Sequence, residues 1–265
     1  MANSITALPQ ESQSYEPVSM SKDNTMHLLQ RSANLANLGA HHFSTGDDFN
    51  AYGAMRRALG VLQEAADSGC DFDVVMDEKI MQADDAQQLQ QQTIRPYIAI
   101  PFDCPTNERA VFGAADEADK TVFYVNTRPF VFDQAAVNVA NTSIYISITI
   151  FNMTLLLLRK ARSDKDGLLA MKKAVRLFGM AEVILKTAPE NVDNSNILAA
   201  VLNNKAHACF CLHQFDDAHQ ALEDLSNLIS NACATDSLYI NEEELTEMLL
   251  NTLLHSDPTR LASAA

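Results

Sequence analysis

Apolar residues recur at helical spacing over most of the chain. Leu28, Leu35, Leu38 and His42 fall on one stripe, with the small residue Gly39 inside it. Ala51, Met55, Ala58, Leu59 and Leu62 form a second stripe that runs to about Ala66. Asp23 or Asn24 is placed to cap the first helix. Gly46-Asp47-Asp48 separates the two, and Asp47 or Asp48 caps the second. Ile144 to Ile150 alternates like a strand, yet Ile144, Ile148, Phe151, Leu155 and Leu158 also share one helical face. Helix is preferred, because 155–162 continues the pattern without a break. Another helix runs from Leu168 to about Lys186, carrying Ala170, Ala174, Leu177, Phe178, Ala181 and Leu185, before Pro189. Asn196 to His213 and Phe215 to about Ala232 read as a further pair. A last helix spans Glu242 to His255, with Leu245, Met248, Leu249, Thr252 and Leu253 expected to face inward and close the stack.

Four stretches depart from this pattern. Residues 1–22 mix Ser, Gln, Pro and Glu and are expected to be a disordered tail. Residues 70–92 are acidic and end in a Gln run, with a short helix expected over Val74 to Met81. In 93–133 short β-rich runs lie around turn residues: Tyr97-Ile98-Ala99-Ile100, Val122-Phe123-Tyr124-Val125 and Phe130-Val131-Phe132. The last two flank Asn126-Thr127-Arg128-Pro129, which predicts a hairpin or small sheet inserted between helix pairs. Residues 256–265 form a loose tail.

One block occurs twice. Asn37-Leu38-Gly39, Phe43 and Gly46-Asp47 precede Ala51, and Asn204-Lys205-Ala206, Phe210 and Gln214-Phe215 precede Ala218. Each copy sets a small residue (Gly39, Ala206) at a fixed distance before an Ala, as two helices packed closely around a polar turn require. The blocks resemble the tetratricopeptide (TPR) repeat, a two-helix unit that stacks into a superhelix. Leu38-Gly39, the Gly46-Asp47 turn, Ala51 and Ala58 match it in the first copy, and Ala206 and Ala218 in the last, where Leu225 replaces the second small residue. A degenerate middle copy carries Asn152-Met153-Thr154, then Ala174, Phe178 and Ala181. The layout, with a β-rich insert before an Asn-rich apolar helix, is also similar to TPR-like proteins abundant in diatoms. The resemblance implies a mainly α fold: a TPR-like antiparallel helix-pair solenoid of about three pairs plus a C-terminal capping helix, with a small β-rich insertion between the first and second pairs. The expected organisation is a first pair over 23–69, the acidic and β-rich segment over 70–133, and two further pairs with the capping helix over 134–255.

Charge changes the picture of partners. The 34 Asp and Glu outnumber the 19 Lys and Arg, giving −15, which repels phosphate backbones and anionic lipid. The basic strip Arg159-Lys160-Ala161-Arg162, with Lys172, Lys173 and Arg176, reads as solvated helix ends. From Gln134 to Leu158 no residue is charged, but eight Asn, Ser and Thr interrupt the stretch, so a buried helix is expected and not a membrane span. Five cysteines, an odd number without dense spacing, suggest free thiols in a reducing compartment, and the N-terminus lacks the features of a secretory signal. Cytoplasm or nucleus is the expected location.

No catalytic motif is recognisable, and no enzymatic activity, cofactor or metal is expected. His207, Cys209, Cys211 and His213 suggest metal ligands by composition, but His207 and Cys211 share one helical face while Cys209 and His213 share another. TPR domains that bind acidic tails use Lys, Arg and Asn on their inner faces. Here Asn152 stands at one such position, but Ala36, Ala40 and Ala200 occupy others and Asn204 stands where Arg is expected, so that clamp is absent. Asn37, Asn152 and Asn204 are the polar residues that stand out, because Asn in an apolar helix is unfavourable unless it is hydrogen-bonded. They bond either a neighbouring repeat's backbone or a peptide backbone in the groove. With His207 they are the candidate partner-binding residues. The expected partner is another protein or peptide, bound on the groove of a scaffold. The alternative is a structural subunit packed permanently into a larger complex.

Overall fold

The computed structural model describes residues 22–67, 109–112, 121–132, 137, 142–163, 167–188, 192–235, 240 and 242–255. These residues are mainly helical. α1 (Lys22–Ser44) pairs with α2 (Asp48–Asp67), α3 (Thr142–Ser163) with α4 (Gly167–Thr187), and α5 (Val192–Cys211) with α6 (Phe215–Thr235); α7 (Glu242–His255) follows. Consecutive pairs meet through α2 against α3 and α4 against α5, while α7 packs on α6. The first helices of successive pairs also touch, α1 with α3 and α3 with α5. The result is two layers of helices, as a helical repeat requires.

Small residues set how closely each pair approaches. A Cβ on Gly39 would lie 2.6 Å from Met55 Cγ and 3.2 Å from the Ala51 carbonyl oxygen. Ala51, Ala206 and Ala218 are fully buried. The two turns are built alike. In the first, the Gly46 and Asp47 amides donate to the Phe43 and His42 carbonyls, and Gly46 has φ +80°. In the second, His213 and Gln214 donate to Phe210 and Cys209, and His213 takes the left-handed conformation at φ 57°. Asp47, and not Asp48, caps α2: its Oδ1 accepts from the Asn50 amide at 3.2 Å.

Ionic contacts join the pairs. The Arg159 guanidinium on α3 lies 3.6 Å above the Phe43 ring and bonds both the Phe43 carbonyl and the Asp48 carboxylate, tying the second pair to the first. Glu182 on α4 accepts from Lys186 and from Lys205 on α5, and Lys186 also reaches Asp224 on α6. Burial raises the Glu182 carboxyl's affinity for protons, but the bonds from Lys186 and Lys205 outweigh it and hold the pKa below the ordinary value.

α3 is long and apolar enough to cross a membrane, but 83% of its apolar window is buried inside this protein. Two of its buried hydroxyls are satisfied locally: Thr149 and Thr154 donate to the carbonyls of Tyr145 and Ile150.

Two expectations need correction. The segment between the first two helix pairs is not β-rich among the described residues. Its β structure there is a two-stranded antiparallel piece, β1 (Arg109–Phe112) with β2 (Thr121–Tyr124), in which Arg109 faces Tyr124 and Phe112 faces Thr121. The hairpin expected around Asn126–Pro129 does not form. Phe130-Val131-Phe132 pairs with no strand, because its backbone is bonded by helix side chains instead. In α7 the inward stripe is Met248, Asn251, Thr252 and His255; Leu249 is 37% and Leu253 74% exposed. The expected short helix over Val74 to Met81, the strand at Tyr97–Ile100 and the two tails lie outside the described residues, apart from Lys22, which begins α1.

Candidate functional site

The three asparagines singled out by the sequence do one job. Each sits on the first helix of a pair and uses its side-chain amide to bond both the N–H and the C=O of a single residue in the segment 124–132. Asn37 on α1 accepts from the Phe132 amide at 2.7 Å and donates to the Phe132 carbonyl at 2.9 Å. Asn152 on α3 does the same to Phe130, at 2.8 and 2.7 Å. Asn204 on α5 does so to Asn126, at 2.8 Å for both bonds. A fourth rung was not foreseen: Asn251 on α7 holds Tyr124, accepting at 3.0 Å and donating at 2.9 Å.

Strand geometry explains the pattern. In an extended chain a residue's own N–H and C=O point to the same side, and alternate residues share that side. Residues 124, 126, 130 and 132 therefore present one edge to the helices, and the four amides act as an adjoining strand would. The segment runs from α7 to α1, against the order of the repeats.

The rungs are not alike. At the α5–α7 end Asn203 adds a relay. Its Nδ2 donates to the Tyr124 carbonyl at 3.0 Å and to Asn126 Oδ1 at 3.1 Å, with a longer contact to Asn204 Oδ1 at 3.3 Å. Its Oδ1 accepts from Asn251 Nδ2 at 2.7 Å. Asn203, Asn204 and Asn251 are all essentially inaccessible to solvent.

Side chains of the segment fill pockets between the rungs. Phe123 packs among His207, Phe210 and His255, with ring centroids 5.6, 5.7 and 5.1 Å away. Phe130 lies against Phe151 at 5.1 Å, and Phe132 meets Tyr145 edge-on at 5.2 Å. Pro129 is buried. Arg128 approaches Glu244 on α7 at 3.8 Å. Burial raises the Glu244 pKa; Arg128 opposes this and Glu243 adds to it. Burial also raises the Tyr124 phenol, helped by Glu244, Glu247 and Glu243 against Arg128.

His207 joins this site through the Phe123 ring. Burial, reinforced by Arg162, lowers its pKa to about 3, so the ring is neutral. Cys211 Sγ lies 3.9 Å from His207 Nε2, and burial lifts the Cys211 thiol to about 12. Among the described residues no three His, Cys, Asp or Glu side chains gather in a metal-binding group.

Asn251, Asn203 and Asn126 complete the site. Asn251 carries the same signal as the other rungs, an Asn inside a Leu-rich helix. It is hidden because Leu249 and Leu253 suggest a different inward face. No known protein-family model, curated protein or solved structure matches the chain.

Proposed function

We propose that this chain is a non-catalytic interaction scaffold, a TPR-like helical repeat whose groove binds an extended segment of another protein. In the resting state residues 123–132 fill that groove as an internal ligand. One observation carries the reading: four helix-borne amides bond the backbone of alternate residues and so contact a peptide without depending on its side chains. Backbone bonding of this kind is how exposed sheet edges capture peptides. A −15 chain in a reducing compartment favours a protein partner over nucleic acid or lipid.

The competing reading is a structural subunit whose groove is permanently plugged. The burial of Phe123 and Tyr124, at 1% and 2% exposure, favours it. Phe130→Pro separates the two, since proline removes the N–H that Asn152 accepts. A ligand that must displace an internal segment binds with an affinity reduced by the fraction of open groove. The full chain carrying Phe130→Pro is expected to bind a labelled peptide copying residues 121–132 at least about tenfold more tightly than the unaltered chain, by fluorescence anisotropy. Release of the internal segment, seen as hydrogen exchange at Tyr124 and Asn126, without any peptide binding would establish the plugged subunit.

A further inference from the structure

We infer that the partner segment this groove takes is a basic, aromatic-flanked one. The inference rests on the peptide-binding reading above and adds what that reading lacks, selectivity.

Side-chain chemistry supplies that selectivity. Arg128 is the one charged residue in 121–132, and it faces Glu244. Glu243 acts on Glu244, and Glu243 and Glu247 act on the neighbouring Tyr124 phenol, so Arg128 lies beside an acidic stretch of α7. A basic residue at this position relieves the repulsion within that stretch and an acidic one adds to it. The Phe123 site among His207, Phe210 and His255 and the Phe130 contact with Phe151 call for an aromatic ring at each end.

The test uses the full chain carrying Phe130→Pro and three labelled peptides: a copy of residues 121–132, the same peptide with Arg128→Glu, and the same peptide with Phe123→Ala. The copy is expected to bind, and the other two to bind on the order of tenfold more weakly. Glu244→Lys in the chain is expected to restore the Arg128→Glu peptide. Equal affinity for all three peptides would overturn the inference while leaving peptide binding intact. No binding by any of them to a chain whose internal segment has been released would instead remove the peptide-binding reading itself. If Phe130→Pro does not fold, Phe132→Pro, which removes the N–H of the last rung, takes its place.

Discussion

The two ends of the ladder solve the same problem in different ways. At the α1–α3 end each asparagine meets one residue of the segment and bonds nothing else that the geometry records. At the α5–α7 end three asparagines bond one another as well as the segment, in a region closed to solvent. Bonds that share partners in a dry environment support one another, and the loss of one leaves several groups unsatisfied. The first end should therefore behave as separable rungs and the second as a unit.

The sharpest way to break this contrast is Asn251→Leu. It removes the Tyr124 rung and strands Asn203, leaving at least two buried polar groups unpaired, at about 1–3 kcal/mol each. A loss of about 3 kcal/mol or more is expected in denaturant unfolding. Asn37→Leu should cost about 1–2 kcal/mol, because Asn37 is itself half-buried and its loss strands no second asparagine. In double mutants, Asn37→Leu and Asn251→Leu should add, whereas Asn203→Leu with Asn251→Leu should not. Equal and additive losses throughout would make the two ends equivalent.

Two carboxylates sharpen the contrast through pH. The Glu182 pKa is depressed on folding, so it stabilises the fold above its unfolded value, and that support is lost as pH falls through the folded value. The Glu244 pKa is raised, so its contribution has the opposite sign: stability declines as pH rises through its folded value. Glu182→Gln should thus destabilise the chain at pH 7 and become neutral in acid. Glu244→Gln should stabilise the chain at pH 7 and lose that advantage in acid. Thermal melts from pH 3 to pH 8 check both. The smallest effect is expected from Arg128→Ala, a partly exposed pair worth about 0.2–1 kcal/mol, seen as a melting-temperature shift of a few degrees at most.

Part of this arrangement was legible before any coordinates. Gly39, Ala51, Ala206 and Ala218 marked the helix crossings because close packing tolerates only small residues at fixed separation. Asn37, Asn152 and Asn204 stood out because a polar amide in an apolar helix needs a partner, and both partners first considered were backbone groups. The backbone belongs to the chain itself, 95, 22 and 78 positions away. That distance is why the segment was misread. Its β-branched and aromatic residues do specify extended backbone, but not whether a strand or a row of side chains supplies the bonds. On α7 the periodicity places Met248 and Thr252 inward as found, but Leu249 and Leu253 imitate core positions, while Asn251 and His255 complete the buried stripe.

In a stacked repeat each unit touches only its neighbours, so stability accumulates along the array and the ends fray first. The strand along this array contacts α1, α3, α5 and α7 in turn and so joins units that are not neighbours. Melting of any one helix pair then loosens the hold on all the others. The array should denature as one cooperative body, and seating of this strand, which closes contacts as distant as Tyr124 to Asn251, should be a late and slow event in folding.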